Sequence, residues 1–312
     1  MRLLVTGATG FVGANVVRDL VRRPGNEIHI TVRKTSDFWR IQEILPRLRR
    51  HLCDLEDYPR LRAVVKKIKP EVILHFAAYG SYLDLERDED RILRTNVIGT
   101  ANLLRATGDI SYRCFLHAGS SSEYGAKDRP MKESDVPEPL NLYAAAKAAS
   151  TLLCQSYART QGKNVVCVRL FSVYGAYEEA FRLVAQATQH CLAGRDLNLT
   201  AGFQKRDFIF IGDVIEACRK IIRAKGLGGE ILNLGTGREH SVREVARRIH
   251  ALAGTGNRLL FGKKKIRKIE FRRWVADTSK TRRLLGWRAR FSLNEGLAKT
   301  MEWFRENNWR YY

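Results

Sequence analysis

The chain has 312 residues, 45% hydrophobic and 9% aromatic, which is enough to bury a core without disulfide or metal staples. It contains seven prolines and no low-complexity tract, which excludes a disordered or fibrous chain. The formal net charge is +22 at pH 7, and more than half of this excess lies in the last quarter of the sequence. A charge of this size predicts an anionic partner of one of three kinds: nucleic acid, acidic lipid or a phosphorylated small molecule.

Short apolar runs alternate with longer helical patterns through the first half of the chain. The runs predict strands at 3–6, 28–32, 71–76, 114–118 and 164–170, and the helical patterns predict helices at 10–21, 86–105 and 141–161. Continuous apolar strands between helices are typical of a parallel sheet that is covered on both faces. The sequence therefore predicts an α/β protein with a Rossmann-type doubly wound parallel sheet, whose ligands bind beyond the carboxyl ends of the strands.

The second half mixes shorter elements and shows no linker. We predict helices at 176–193, 213–224, 241–252 and 293–304, and strands at 208–211 and 231–234. These elements predict a smaller C-terminal substrate-binding lobe. In the division that we expect, residues 1–170 form the dinucleotide-binding domain, residues 205–238 return to it, and residues 171–204 and 239–312 form the lobe.

The six cysteines form no CxxC pair and do not stand near histidines at metal-ligand spacing, so we expect no metal site. Cys114 and Cys167 lie inside apolar runs and are typical of small buried hydrophobic residues in a reducing cytoplasm. The N-terminal apolar run is too short for a signal peptide, and no stretch approaches ~18 apolar residues. We therefore expect a cytoplasmic protein without a membrane span.

A glycine-rich turn follows the first predicted strand and opens the first helix, with Gly7, Gly10 and Gly13 in the spacing GxxGxxG. In this context the first glycine permits the tight turn, the second lets the backbone approach a diphosphate, and the third lets the helix pack on the strand. The first helical turn, with Phe11 and Val12, presents free N–H groups to the pyrophosphate. The alternative interpretation is an ordinary strand–helix turn.

The residues after the second strand bear on the choice of cofactor. A carboxylate there would accept hydrogen bonds from the 2′-hydroxyl of NAD, but the chain has Arg33 and Lys34 at this point. Two cations without a carboxylate favour a 2′-phosphate and hence NADP(H), with NAD(H) as the alternative. Asp37 lies too far along the chain to replace the missing carboxylate, and Arg33 facing solvent is the competing interpretation.

Tyr143 and Lys147 stand four residues apart on a predicted helix and therefore share one face. A nearby ammonium favours the phenolate, so the tyrosine can exchange a proton with a hydroxyl or carbonyl group. The strand at 114–118 ends in the hydroxyl-rich run Gly119–Gly125, which would point into the cofactor crevice. Seen alone, that run is equally typical of a flexible polar loop.

Taken together, these motifs and their order resemble the extended short-chain dehydrogenases/reductases, in particular the nucleotide-sugar epimerase/dehydratase/reductase family. The resemblance spans nearly the whole chain. The matching segments are TGATGFVG at 6–13, CDL at 53–55, HFAA at 75–78, TNVIGTANLL at 95–104, SSSEYG at 120–125, YAAAK at 143–147, RLFSVYG at 169–175, QKRDFIFIGDV at 204–214, NLGTG at 233–237 and VADTSKTRRLLGW at 275–287.

The resemblance implies a role for each matching residue. Ser120, Tyr143 and Lys147 would be catalytic, and Tyr143 and Lys147 would also bind the nicotinamide ribose. Other cofactor contacts would come from the three glycines of the phosphate turn, from Asp54 and Leu55 beside the adenine, and from Phe76, Ala77 and Ala78. The substrate would be a nucleotide-diphosphate sugar, held by Ser121, Ser122, Glu123, Arg206 and Arg267. The usual Gly-Asp after the second arginine is missing after Arg267.

Two departures from the family bear on the reaction. Sugar-nucleotide 4,6-dehydratases carry an extra acid and base directly after the catalytic Ser/Thr, whereas this chain has Ser121 and Ser122 there and Glu123 one place late. A serine does not act as a base at neutral pH without further activation, so dehydration is disfavoured. Ser172 replaces an asparagine that is frequent in the family.

The sequence leaves several functions open. Arg33 with Lys34 and the absent dehydratase pair favour an NADP(H)-dependent reductase of a 4-keto nucleotide-diphosphate sugar. The alternative is an NAD-dependent nucleotide-sugar 4-epimerase, and a 4,6-dehydratase ranks third. The net charge also raises the hypothesis of a nucleic-acid-binding protein, but the sequence contains no nucleic-acid-binding motif. The basic run at 263–273 is also typical of a solvated face. The resemblance further implies a homodimer through the helices at 86–105 and 141–161.

Overall fold

The apolar runs of the first half form a seven-stranded sheet in the computed structural model, which describes residues 1–81, 88–265 and 273–311. Numbered in chain order, the strands of this sheet are β1 (Arg2–Thr6), β2 (Glu27–Val32), β3 (Arg49–Leu52), β4 (Val72–His75), β5 (Cys114–Ser120), β6 (Val165–Leu170) and β11 (Ile231–Leu234). Their order is β11-β6-β5-β4-β1-β2-β3, and the five neighbouring pairs from β6 to β3 are parallel. The strand order reverses beside β1, which confirms the predicted Rossmann-type doubly wound α/β fold.

The central strands are buried because helices cover both faces of the sheet. The helices that accompany it are α1 (Phe11–Val21), α2 (Tyr58–Ile68), α3 (Glu89–Leu93), α4 (Gly99–Ala106) and α5 (Leu142–Gln161). Leu4, Ile73 and Phe115, from three adjacent strands, are completely buried in one hydrophobic cluster. Each such side chain contributes roughly 1.5–3 kcal/mol of burial free energy, so the sheet is a rigid platform for the groups at its edge.

The helix predicted at 86–105 is divided in the structure. A π-helical turn at Arg94–Ile98 joins α3 to α4, and residues 86 and 87 lie outside the described residues. Asn96 in this turn is buried, and its amide group accepts a hydrogen bond from the Tyr79 N–H and donates one to the Tyr79 carbonyl. The widened turn therefore points Asn96 at the segment that follows β4, which is a common use of such π-bulges.

The remaining elements belong to the second half of the chain. They are β7 (Ser172–Tyr174), α6 (Leu183–Leu192), β8 (Leu197–Leu199), β9 (Lys205–Arg206), β10 (Phe208–Phe210), α7 (Ile211–Arg223), β12 (His240–Ser241), α8 (Val242–Ala253), β13 (Leu259–Phe261), α9 (Ser279–Leu285) and α10 (Leu293–Asn307). Three two-stranded sheets pair β10 with β7, β12 with β9 and β13 with β8. Apolar side chains of α6, α8 and α10 form a second hydrophobic cluster.

The predicted helix at 176–193 is wrong in its first seven residues, because α6 begins only at Leu183. Gly175 has φ +144° and Tyr177 has φ +66°, and neither angle occurs in a right-handed helix. The apolar and charged residues of this segment imitate a helical period, but the left-handed backbone at Tyr177 excludes a helix there.

By compactness, the chain divides into two units at residues that differ from the predicted boundaries. The first unit comprises Met1–Gly125, Val136–Leu170 and Ala217–Leu232, and the second comprises Ala126–Asp135, Phe171–Glu216 and Asn233–Tyr312. Only part of the predicted return segment 205–238 therefore packs with the first unit. All six cysteines are buried free thiols. Among the described residues, no helix combines the length and apolar character needed to cross a bilayer.

Candidate functional site

The glycine turn between β1 and α1 is closely packed at two of its three glycines. Gly7 has φ +71°, and a Cβ atom there would lie 2.4 Å from the Ala77 nitrogen. A Cβ atom on Gly13 would lie 2.1 Å from the Gly7 carbonyl oxygen, whereas one on Gly10 would make an ordinary contact at 3.4 Å. Gly7 and Gly13 are thus required by the chain's own packing, while Gly10, the N-cap of α1, leaves room for a ligand.

The N-terminus of α1 provides donors at this turn. Phe11 is buried and Val12 is half-buried, and the first N–H groups of a helix have no intrahelical acceptor. The half-buried Phe76 and Ala77 and the exposed Ala78 follow β4 directly, and the Gly7–Ala77 contact brings this segment against the turn. The structure therefore brings the glycine turn and the predicted cofactor-lining segment 76–78 together at the carboxyl edge of the sheet.

A cleft of about 720 Å³ lies beside the ends of β2 and β3 in the first unit. Its lining includes the predicted cofactor residues Arg33, Lys34 and Asp54. It also includes charged residues that the sequence did not single out: Glu56, Asp57, Arg60, Asp88, Asp90, Arg91 and Arg94. A pocket with both cations and carboxylates suits a ligand that carries phosphate and hydroxyl groups.

Two details of this cleft bear on the sequence predictions. The Asp37 carboxylate accepts a hydrogen bond from the Trp39 N–H within its own turn, and Asp37 is not among the residues that line the cleft. Leu55 is buried in the core, and a Cβ atom on Gly99 would lie 3.0 Å from its Cβ atom. Its side chain therefore packs inward, away from the lining of the cleft.

The predicted catalytic residues stand on β5 and α5, which pack against each other. The Asn141 side chain caps α5 by accepting a hydrogen bond from the Ala144 N–H at 2.8 Å, so Tyr143 and Lys147 lie one turn apart near the start of the helix. Tyr143 and Ser120 are half-buried and Lys147 is 1% exposed. Burial lowers the pKa of the Lys147 ammonium, and the nearby Glu123 carboxylate opposes this effect.

The serine run after β5 forms a short 3-10 turn with a capping box. The Ser120 and Ser122 hydroxyl oxygens lie 2.7 Å apart, and Ser120 Oγ accepts a hydrogen bond from the Ser122 N–H at 3.2 Å. Ser121 is 8% exposed. The turn therefore fixes the Ser120 hydroxyl at the end of β5 in place of a flexible loop.

The Glu123 side chain, which was predicted to contact the substrate, instead binds other residues of the protein interior. Its side chain is completely buried and forms an ion pair with Arg169 at 2.8 Å. Its other carboxylate oxygen accepts hydrogen bonds from the Ser120 N–H at 2.7 Å and the Thr151 hydroxyl at 3.1 Å. This geometry does not favour the substrate-binding role and gives Glu123 the task of anchoring Ser120.

In the second unit, Arg206 lies on β9 and is half-buried. The adjacent Asp207 is completely buried and accepts hydrogen bonds from the N–H groups of Thr236, Gly237 and Ala276 and from the Thr236 hydroxyl. Burial raises the pKa of the Asp207 carboxyl, and these donors oppose the change. Asp207 thus holds two segments, at 236–237 and at 276, beside Arg206, although it was not among the predicted site residues.

The remaining predicted cation, Arg267, lies outside the described residues, as does the rest of 266–272. Lys263, Lys264 and Lys265 are exposed, and within the described part of the chain they form no salt bridge. This arrangement agrees with a solvated basic face.

Substitutions in the glycine turn separate folding from ligand binding. We expect Gly13→Ala to destabilise the protein by about 1–3 kcal/mol, because its Cβ atom would overlap the Gly7 carbonyl oxygen. Gly10→Ala should keep the unfolding midpoint and weaken nicotinamide dinucleotide binding. Thermal unfolding and titration calorimetry with NAD+ and NADP+ measure the two effects. Wild-type affinity in Gly10→Ala would contradict the diphosphate site.

Known proteins resemble this chain over nearly its whole length. A family model described as the NAD dependent epimerase/dehydratase family matches residues 3–235. A UDP-glucose 4-epimerase of Mycolicibacterium smegmatis is 30% identical over 327 residues, which cover 99% of this chain and 100% of the relative. A dTDP-glucose 4,6-dehydratase of Xanthomonas campestris is 29% identical over 329 residues, covering 97% of this chain and 93% of the relative.

Solved structures show the same likeness. The UDP-glucose 4-epimerase of Thermotoga maritima, with UDP-glucose, gives a TM-score of 0.91 at 26% identity and covers 99% of this chain and 100% of its own. The UDP-glucuronic acid 4-epimerase of Bacillus cereus, in complex with UDP-glucuronic acid and NAD, gives a TM-score of 0.87 at 26% identity and covers 98% and 99%.

Proposed function

The chain belongs to the NAD dependent epimerase/dehydratase family, and we propose that it is a 4-epimerase of a nucleotide-diphosphate sugar. The chief support is that serines occupy the two positions where dehydratases carry their extra acid and base. The neighbouring carboxylate, that of Glu123, is held in a buried ion pair with Arg169. Without the acid and base of a dehydratase, the reaction that Ser120, Tyr143 and Lys147 can carry out is oxidation and reduction at C4. The likeness to two solved 4-epimerases supports this reaction over the reductase that the sequence favoured.

The residues present fit a nicotinamide dinucleotide. The glycine turn leaves space for a ligand at Gly10, and the free N–H groups at the start of α1 are suited to bind a diphosphate. A nicotinamide dinucleotide bound there would supply the acceptor for the C4 hydride of the sugar and the donor that gives the hydride back to C4. Tyr143 takes the proton of the C4 hydroxyl and later gives it back, and the Lys147 ammonium favours the phenolate. Ser120 donates a hydrogen bond to the C4 oxygen.

A product assay tests the proposal. The purified protein is incubated separately with UDP-glucose and dTDP-glucose, and the products are separated by chromatography. We expect the 4-epimer of one of these substrates to form without any added nicotinamide being consumed. A 4-keto-6-deoxy product would indicate a dehydratase instead, and stoichiometric oxidation of NADPH by a 4-keto sugar would indicate the reductase.

The reductase remains the second candidate because of the cleft after β2. Arg33 and Lys34 are exposed there, and the cleft also contains Arg60, Arg91 and Arg94. Cations at this point favour the 2′-phosphate of NADP(H), whereas the similar Bacillus cereus 4-epimerase structure was solved with NAD. We propose that the protein accepts NADP(H) at this site as well as NAD(H). The measurement is the ratio of the two dissociation constants, and a clear preference for NAD+ would overturn it.

We also propose that the protein is a homodimer. Four leucine or isoleucine side chains are 36–56% exposed on the helices predicted for this interface: Leu93, Ile98, Leu152 and Leu153. Their segments pack side by side, since α5 contacts both α3 and the π-helical turn. A second copy of the chain would cover this apolar area. A solution mass equal to one chain, measured by light scattering, would contradict the dimer.

A cytoplasmic location is part of the same proposal. The six cysteines are all free and buried, which is typical of a reducing compartment. Fractionation of the source cells tests it, and recovery of the protein outside the cytoplasm would overturn it.

A further inference from the structure

The side chain of Lys147 lies in a buried cluster that includes two histidines from adjacent strands. Its Nζ atom is 3.5 Å from Nε2 of His117 on β5, and the His117 ring lies 5.2 Å from the ring of His75 on β4. All three side chains are at most 1% exposed. In the described residues, no carboxylate lies within salt-bridge distance of this ammonium.

The hydrogen bonds of His75 determine its tautomer. The Thr100 hydroxyl donates to the Asn96 carbonyl, so it accepts from His75 Nε2–H at 2.9 Å. Nδ1 is then bare and accepts from the Thr6 hydroxyl at 2.6 Å. Burial lowers the pKa of His75 to about 3, so this imidazole stays neutral and both of its nitrogens are satisfied.

His117 differs because its Nε2 atom faces two groups. The Ser150 hydroxyl lies 3.1 Å from this atom and 2.8 Å from the Lys147 carbonyl oxygen, and its single proton can be donated to either acceptor. The Lys147 ammonium can only donate. Nδ1 of His117 is buried without a partner. A charged Lys147 therefore requires the Nδ1–H tautomer, with Nε2 as acceptor, and a neutral Lys147 permits the Nε2–H tautomer.

We propose that His117 is a positioning residue that accepts a hydrogen bond from the Lys147 ammonium and thereby keeps Lys147 charged, one turn from Tyr143. The proposal rests on the proposed function, in which the ammonium favours the Tyr143 phenolate. The titratable groups that face Lys147 come from every element around it: His75 of β4, His117 of β5, Glu123 of the 3-10 turn, Cys154 of α5 and Cys167 of β6.

Two substitutions at one position test this role. His117→Phe keeps a ring of similar size but removes the acceptor, and His117→Gln restores an acceptor through its amide oxygen. The first readout needs no substrate: the titration of Lys147 is followed by NMR on protein with labelled lysine side chains. We expect the ammonium of His117→Phe to lose its proton about one pH unit lower than in the wild type, and His117→Gln to recover most of the difference.

The second readout is the pH profile of kcat for C4 epimerisation. Activity requires the ammonium, so it falls as the pH rises through the Lys147 titration, and His117→Phe should shift this alkaline limb to lower pH by the same amount. An unchanged Lys147 titration in a folded His117→Phe variant would overturn the inference. If the Lys147 titration shifts in His117→Phe but the wild-type protein has no epimerase activity, the role of His117 stands and the proposed reaction is refuted.

Discussion

Tyr143→Phe is expected to lower kcat by about 10²–10⁴-fold, which is the range for loss of a positioned proton donor. The phenyl ring preserves the size of the side chain near the start of α5, while the hydroxyl that would exchange the C4 proton is removed. The measurement is the initial rate of epimerisation at saturating substrate. Binding of the dinucleotide should persist, because its pyrophosphate is held at the turn that contains Gly10.

Tyr157→Phe is the matched control for this variant. Tyr157 lies on the same helix about four turns further on, and its side chain packs against the hydrophobic cluster of the sheet. This variant should keep the wild-type kcat. If Tyr143→Phe also retains activity within a few-fold, Tyr143 is not the proton donor, and the proposed division of labour among Ser120, Tyr143 and Lys147 is wrong.

The parts of the candidate site that can be predicted from the sequence depend on local pattern. The glycine spacing, the apolar strand before it and the Tyr-Lys pair on one helix are each readable within about ten residues. The phosphate turn predicted from Gly7 and Gly13 appears as a pair of close backbone contacts, because no other residue type fits at those places. Local pattern also identified the apolar strands of the central sheet.

Elements with little apolar character escaped the sequence analysis. Strand β3 contains Arg49, Arg50 and His51, and it is held at the edge of the sheet by its parallel pairing with β2. A strand at an edge buries few side chains, so it carries no apolar run that a sequence pattern could detect. Helix α2 was missed as well, although the Asp57 side chain caps it by accepting a hydrogen bond from the Arg60 N–H.

Contacts between residues far apart in the sequence could not be predicted from local pattern. Glu123 was expected at the substrate, but its partner Arg169 is 46 residues away in the sequence. Asp207 likewise acquires its role from Ala276, 69 residues further on. Neither pairing follows from spacing, because only the folded sheet and loops bring these segments together. The sequence thus predicted which segments meet at the carboxyl edge of the sheet, but not which of their charged side chains serve the fold.

The second prediction concerns the buried ion pair between Glu123 and Arg169. Glu123→Ala should destabilise the protein by about 3–5 kcal/mol, because Arg169, which is 2% exposed, would be left as an uncompensated buried charge. The Ser120 N–H and the Thr151 hydroxyl would lose their acceptor as well. The measurement is the midpoint and slope of urea unfolding.

Asp90→Ala is the control for ion-pair removal as such. Asp90 pairs with Arg94 at 2.9 Å on the surface, where the two side chains are 78% and 58% exposed, and loss of such a pair costs about 0.5 kcal/mol or less. The double variant Glu123→Leu/Arg169→Met should regain much of the lost stability, since it removes both buried charges and restores apolar volume.

Equally small losses of unfolding free energy in Glu123→Ala and Asp90→Ala would show that the buried pair does not hold the turn. A destabilised Glu123→Ala that keeps full epimerase activity would show that Ser120 does not need its anchor.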